Sequence, residues 1–564
     1  MNINEPRGLL FSQVGYDLNK PKRIFLRGPK NWLSQNAKMQ LLDEKENIVF
    51  EKNVKDIGTF WEINWWLVDF SEFNERGKYK INLVDDKKIL LSDNNLTIDY
   101  DILFKKCAKF TGPECFKKRA IFARVKPGWF DAGYLWQEVC SHSIAIAGLV
   151  DLYKYKKDKL SETERNDILE QITGGCTYLL KCNDEAIKEG KAEGLLIHDI
   201  ARLKDVITPN DSFMAALALT KAADILKKDR PEKAEEFANR AIKILNWIDK
   251  EAKPMSGEFN HPYNQGFEEG QKYPEEWMTR YLMLALWAEI ILVDLKYSNN
   301  LERIDKLTEK ILTRQISKED AEFGLWGHFY AYDSIKISEK AWSHGMPPKF
   351  AGNSEHAFGA DMGAVFTHPI FCFLEGIKRL PKNKNASKWK KSLEDFIFNY
   401  FKPACLSTPF KILPRGVFGK EGLLWFAGLW HGANTIYGQA AALAMEFYNL
   451  TNDKEFLDIA YSNLQWICGL NAGLTKRSME LGCVIFNTDL EDDIAYPVSM
   501  IKGIGNREAG NWTNIRGSIC NGFGVGKQFR YDVLPKKKYD TPEALHDEDW
   551  ITHNGGFLMG LARI

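Results

Sequence analysis

The hydrophobic period of the chain changes near Tyr100. Before that point apolar residues come in short, partly alternating runs. These are residues 24–27, 39–42, 48–50, 65–70, 79–84 and 96–98, with polar or glycine-containing turns between them. Alternation sends successive side chains to opposite faces of a strand. Six or seven such runs in about 100 residues predict an antiparallel β-sandwich of immunoglobulin type. After Tyr100 the spacing becomes helical. Leu169, Ile172, Cys176 and Leu179 share one face, and Ser161 with Glu164 forms a capping box ahead of them. Trp277, Tyr281, Leu284, Trp287 and Ile291 form a second stripe. Ile436, Ala440, Leu443 and Phe447 form a third, and Phe456, Ala460, Leu464 and Ile467 a fourth. Loops rich in Ser, Gly, Pro and Asn separate the helices, residues 341–356 and 403–422 among them. Two domains are expected, one over residues 1–99 and one over 100–564. Helical spacing alone does not distinguish a closed ring of helices from an open solenoid.

Composition narrows the partners. Lys+Arg and Asp+Glu are both 76, so no broad basic surface is available to a nucleic acid. No stretch approaches the ~18–20 apolar residues of a membrane span, and no membrane partner is expected. The start, Met1-Asn2-Ile3-Asn4-Glu5-Pro6-Arg7, lacks the apolar run of a secretory signal. The 10 Cys show no paired spacing, which suits free thiols in a reducing compartment. A cytoplasmic location is expected, unless a signal has been removed. No His pair has metal-ligand spacing, so neither a metal nor a cofactor is expected. Oligomeric state is not legible. With 17 Trp, 20 Tyr and 34 Phe, the chain has rings enough for its cores and for stacking on sugars.

Several segments together carry a resemblance. Trp129-Phe130-Asp131-Ala132-Gly133-Tyr134 and Asp547-Glu548-Asp549-Trp550-Ile551-Thr552-His553-Asn554 both set acidic residues among aromatic ones ahead of an apolar helical pattern. Phe110-Thr111-Gly112-Pro113-Glu114-Cys115 precedes the first of them, and Trp430-His431-Gly432-Ala433-Asn434 and Cys468-Gly469-Leu470-Asn471 fall between the two. Phe11-Ser12-Gln13-Val14-Gly15-Tyr16 opens the chain's first domain. In these motifs the chain resembles family 9 glycoside hydrolases, cellulase-like enzymes with an N-terminal immunoglobulin-like module. The resemblance implies an immunoglobulin-like β-sandwich followed by an (α/α)6 barrel, an oligosaccharide substrate, and an inverting mechanism. It runs over nearly the whole chain and is thin between about residues 185 and 400.

Inversion needs a proton donor and a base that activates water from the opposite face, the two carboxyls standing ~6.5–9.5 Å apart. The resemblance gives Glu548 as the donor, six residues before Asn554 and the Gly-rich last helix. Asp547 and Asp549 flank it, and like charges raise a carboxyl pKa. Asp131 matches the first acid of the family's Asp-Ala-Gly-Asp segment. Tyr134 stands where the second acid, the base, belongs. A phenol with a pKa near ~10 is a poor base. Three readings stay open: Asp131 acts alone, Glu138 four residues beyond Tyr134 is brought in by helical spacing, or nothing activates water. Substrate-binding candidates are Tyr134, Trp129, Trp430, His431, Trp512, Arg507, Arg516 and His553. The Gly- and Asn-rich run over residues 503–526 is expected to be a site loop. The leading expectation is a hydrolase of soluble oligosaccharides, with exo-action on β-linked glucose or glucosamine units among the options. A sugar-binding protein without catalysis and a lyase on a helical toroid are the alternatives.

Overall fold

In a computed structural model of the protein, the described residues are 7–60, 63–132, 136–250, 277–321, 324–330, 369–414, 416–418, 423–425, 434–471, 494–495, 500–501, 515–522 and 549–564. The expected loop at 341–356 lies outside them.

Among the described residues nine strands form the N-terminal part: β1 (Arg7–Leu10), β2 (Tyr16–Asp17), β3 (Arg23–Gly28), β4 (Lys38–Leu42), β5 (Ile48–Asn53), β6 (Lys55–Phe60), β7 (Ile63–Asp69), β8 (Gly77–Asp85) and β9 (Lys88–Asp99). All six runs read from the sequence lie on strands. One sheet has the order β1-β3-β7-β6, extended beyond β1 by a two-residue strand, Ile494–Ala495. The other has the order β2-β9-β8-β4-β5. Between the sheets lie Phe11, Ile24, Leu26, Met39, Leu41, Trp66, Val68, Ile81, Leu83 and Ile98. Tyr16 pins the turn ahead of β3, its hydroxyl donating to Arg23 O at 2.5 Å and accepting from Ser12 N at 2.9 Å.

β3 is buried along its whole length because both of its faces are covered. Ile24 and Leu26 point into the sandwich, while the alternate residues point into the helical part. Phe25 and Trp65 pack on Phe410 at ring separations of 4.9 and 4.8 Å. Arg23 reaches Ser462 Oγ at 2.7 Å and Asp458 at 2.6 Å.

The helices that follow are α1 (Ile102–Lys109), α2 (Cys115–Phe122), α3 (Val139–Lys156), α4 (Glu162–Lys188), α5 (Pro209–Leu226), α6 (Pro231–Lys250), α7 (Thr279–Asp294), α8 (Leu301–Leu312), α9 (Phe371–Arg379), α10 (Ala386–Phe396), α11 (Lys402–Cys405), α12 (Asn434–Thr451), α13 (Lys454–Ile467) and α14 (Ile551–Leu561). The predicted capping box starts α4, with Ser161 Oγ accepting from Glu164 N and Glu164 accepting from Ser161 N. The helices form an (α/α)6 barrel. Its inner ring runs α3, α5, α7, α9, α12, α14, and α14 closes the ring by packing between α12 and α3. α4, α6, α8, α10 and α13 pack outside. The stripe expected on α7 is an understatement, since residues 279–292 are buried on every face. An inner helix is covered both by the outer ring and by its neighbours, so the polar face of an amphipathic helix has no place on it.

The inner helices run parallel. At their N-terminal ends Trp550, just ahead of α14, bonds to Ser141 of α3, and Thr435 of α12 bonds to His553 of α14. At their C-terminal ends Asp151 of α3 takes bonds from Lys221 of α5 and Arg563 beyond α14, and Glu446 of α12 bonds to the same Arg563. Arg379 at the end of α9 likewise bonds Asp294 at the end of α7 and Asp224 near the end of α5, so among the described residues six N-termini face one end of the barrel. Among the described residues no helix is long and apolar enough to cross a membrane.

Candidate active site

The loop between α2 and α3 brings the acidic segment to the N-terminal end of the ring. Gln137 ties the loop to itself, its Oε1 accepting from Val125 N at 2.8 Å and its Nε2 donating to Val125 O at 3.0 Å. Asp131 is fully buried, and its backbone is fixed on both sides. Its N–H donates to Trp136 O at 2.7 Å, and its carbonyl accepts from Ile551 N at 2.9 Å and from Arg119 at 3.0 Å. The first residue of the last helix is thus bonded to the first acid of the motif, across most of the chain length. The side chain of Asp131 accepts the Glu138 N–H on Oδ2 at 2.9 Å. Its Oδ1 accepts no hydrogen bond among the described residues.

Glu138 is the residue ahead of α3 and lies half-buried. Its Oε2 accepts from Ser141 Oγ at 3.2 Å, and Ser141 accepts from Trp550 Nε1 at 2.7 Å. Its Oε1 stands 3.5 Å from His198 Nε2. His198 comes from a short hairpin of β10 (Ile197–Asp199) and β11 (Leu203–Ile207). The other ring nitrogen of His198 lies 2.7 Å from Asp211 Oδ2, in the first turn of α5. Asp199 accepts Gln137 N at 2.9 Å. Two carboxylates thus flank one imidazole, and Asp131 and Asp199 stand next to the pair.

Burial first, and then the neighbouring Glu138 and Asp199 charges, push the Asp131 carboxyl well above the usual carboxylate range. Burial and, more weakly, Glu138 raise Asp199 as well. For His198 burial disfavours the charge, but Asp211 and Glu138 outweigh it and hold the ring well above its usual pKa. Such a cluster can hold a proton or a cation, and Asp131 carries one oxygen that accepts no hydrogen bond among the described residues. Glu138, Cys140 and His198 each present a ligand atom, all within 4.8 Å of one another.

Comparison with known proteins gives the cluster its context. The cellulase N-terminal ig-like domain model matches residues 6–88, and the glycosyl hydrolase family 9 model matches residues 80–484. The chain belongs to glycosyl hydrolase family 9. A metagenome-derived family 9 endoglucanase is similar in structure at 13% identity and a TM-score of 0.64, with 98% of each chain covered. A Bacteroides ovatus family 9 protein is similar at 14% identity and a TM-score of 0.62, with 100% of this chain and 98% of that one covered. AaCel9A, in complex with a cellobiose-like isofagomine, is similar at 13% identity and 0.62, with 98% and 99% covered. At these identities the likeness is one of fold. No curated protein matches the chain by sequence.

Of the residues singled out in this family 9 sequence, Asp131 and Glu138 are brought together. They meet by a different route from the one expected. The helix begins only at Val139, so Glu138 reaches Asp131 through its backbone N–H and not by helical spacing. Asp549 also departs from expectation. It is fully buried in an ion pair with Arg119, which neutralises it beside Glu548. Trp129 lies in the core, stacked on His142 at 5.1 Å with its Nε1 bonded to Gln171. His553 is fully buried, its Nδ1 accepting from Thr435 N and its Nε2 bonded to Asn521 Oδ1, so both ring nitrogens are held by protein. Arg516 is exposed and lies 3.7 Å from the centre of the Phe110 ring. Glu548, Tyr134, Trp430, His431, Trp512 and Arg507 lie outside the described residues, as does all of the 503–526 run except 515–522. Sequence reasoning missed Arg119, Cys140, Ser141 and Asp211. None sits in a motif, and only the meeting of α2, α3, α5 and the last helix selects them. Arg119 directly follows Lys117 and Lys118, so nothing in the sequence set it apart from an exposed basic run.

Proposed function

We propose that this family 9 chain is an inverting glycoside hydrolase of soluble, β-linked oligosaccharides, with Glu548 as general acid and Asp131 as general base. The observation that carries the reading is the state of Asp131. It is buried, one oxygen is fixed by the Glu138 N–H, and the other accepts no hydrogen bond among the described residues. A base must present an oxygen to water at a set place, and positioning of that kind supplies much of the rate. Endoglucanases among the structural relatives, one holding a cellobiose-like isofagomine, support β-linked glucose units as the first substrates to test.

The experiment is a comparison of wild type, Glu548→Gln, Asp131→Asn, Glu138→Gln and Tyr134→Phe on cello-oligosaccharides, with the anomer of the first product read by NMR. Glu548→Gln and Asp131→Asn are expected to lose ~10²-fold or more in turnover while still binding sugar. Tyr134→Phe is expected to cost about 0.5–1.5 kcal/mol, the worth of one hydrogen bond. An active Asp131→Asn beside a dead Glu138→Gln would move the base to Glu138. Tight sugar binding by a wild type that turns over no glycoside in a broad screen would replace the hydrolase with a binding protein. An unsaturated product would make it a lyase.

A further inference from the structure

The geometry points to a zinc site built by Glu138, Cys140 and His198 at the N-terminal end of the barrel. Zinc bonds of about 2.0–2.3 Å at tetrahedral angles place donor atoms roughly 3.3–3.7 Å apart. His198 Nε2 lies 3.5 Å from Glu138 Oε1, Cys140 Sγ lies 3.8 Å from Glu138 Oε2, and all three groups fall within 4.8 Å. Side-chain adjustments of a few tenths of an ångström to about one ångström would complete the three bonds. No backbone need move.

The surroundings are those of a metal site. Asp211 accepts a bond from His198 Nδ1 at 2.7 Å, which fixes the ring and directs Nε2 at the other two donors. Carboxylate support of a ligating histidine is the usual arrangement around zinc. Thr208 donates to the same Asp211 oxygen. Ser141 and, through it, Trp550 orient the Glu138 carboxylate. Cys140 sits in the first turn of α3, two residues beyond Glu138, so one short backbone stretch carries both donors. A second observation points the same way. Asp131, fully buried and joined to Glu138 by its N–H, has an oxygen that accepts no hydrogen bond among the described residues. A divalent cation held by Glu138, the residue bonded to Asp131, would offset the cost of gathering these acidic groups in a buried place. One thiolate, one imidazole and one carboxylate select zinc over calcium or magnesium, which take all-oxygen sites. Three protein donors leave a fourth position for water. With the ion bound, Glu138 is a ligand and not a base.

The site stands on geometry and not on the hydrolase reading, and its test measures metal and not turnover. Full-length protein stripped with chelator is titrated with Zn²⁺ by calorimetry, and with Co²⁺ by absorption. One equivalent is expected per chain, with a thiolate-to-cobalt charge-transfer band. Cys140→Ser is expected to abolish the band, His198→Gln to weaken Zn²⁺ binding more than 100-fold, and Asp211→Asn to weaken it about 10–100-fold. Circular dichroism checks that each variant folds. X-ray absorption on zinc-loaded wild type gives a reading that needs no variant, and one sulfur at about 2.3 Å is expected. A wild type that takes up no stoichiometric metal overturns the proposal and leaves His198 as an imidazolium between Asp211 and Glu138. So does a zinc spectrum with no sulfur, or binding unchanged in both Cys140→Ser and His198→Gln.

Discussion

His142 shows how one buried side chain supports the site from behind. Its Nδ1–H donates to Glu138 O at 2.8 Å, and its Nε2 accepts from Trp129 N at 3.1 Å. The ring is sandwiched between Trp129 and Tyr178. Both bonds suit the neutral form, and burial pushes its pKa down to about 4 from 6.5. In the unfolded chain it protonates near its ordinary value, so between these limits the unfolded state binds more protons. The stability it allows is therefore complete above pH 6.5 and is lost as pH falls toward 4, about 3 kcal/mol in all. His328, stacked on Tyr400 and pushed down to about 3, acts in the same direction. His142→Phe should be destabilised at pH 7 by about 1–3 kcal/mol, because the Trp129 N–H loses its acceptor. It should then lose less stability than wild type on going to pH 5. Denaturant unfolding at the two pH values checks this, and an unchanged pH slope would mean that His142 is not held neutral.

Among the elements, α14 is the one whose packing decides whether the ring closes. It sits between α3 and α12 at glycine contacts. A Cβ on Gly148 would meet Gly555 O at 2.3 Å, and one on Gly438 would meet Gly556 C at 2.2 Å. Both obstacles are backbone, which cannot turn aside. Gly148→Ala and Gly438→Ala should each destabilise the protein by at least about 1–3 kcal/mol. Gly174→Ala, on α4, meets only Pro127 Cβ at 3.7 Å and should stabilise by roughly 0.5–1 kcal/mol, since glycine is a weak helix residue. Thermal melting of the three variants side by side tests the contrast. The Gly-rich last helix was legible in the sequence as a helix. Its partners were not, because a glycine records that something comes close without recording what. The α4 capping box was fully legible, since its two residues satisfy each other locally.

At the scale of the whole molecule the barrel is fastened at the end away from the site. Asp151 takes bonds from Lys221 and Arg563, and Glu446 from Arg563 and Lys378, which joins α3, α5, α9 and α12 to the C-terminal residues. Burial works to raise the Asp151 carboxyl, but Arg563 and Lys221 outweigh it and bring the pKa down to about 2 from 3.8. The lowered value means stability that is present above pH 3.8 and lost as pH falls through about 2, worth about 2 kcal/mol. Asp151→Asn should cost about 3–5 kcal/mol at neutral pH, because two buried cations lose their counter-charge, and a melting curve checks it. The strand-to-helix change of period fixed the two kinds of architecture from the sequence alone. Period is a local property, set by which neighbours in the chain must share a face. The motif around Asp131 was legible for the same reason, since its residues are contiguous. What only the tertiary structure decided is the company Asp131 keeps. Glu138, His198, Asp199 and Asp211 arrive from a cap, a hairpin and the start of another helix, and Arg119 arrives from α2 to neutralise Asp549. The strength of their interaction depends on distance and burial, and neither is written in the order of residues along the chain.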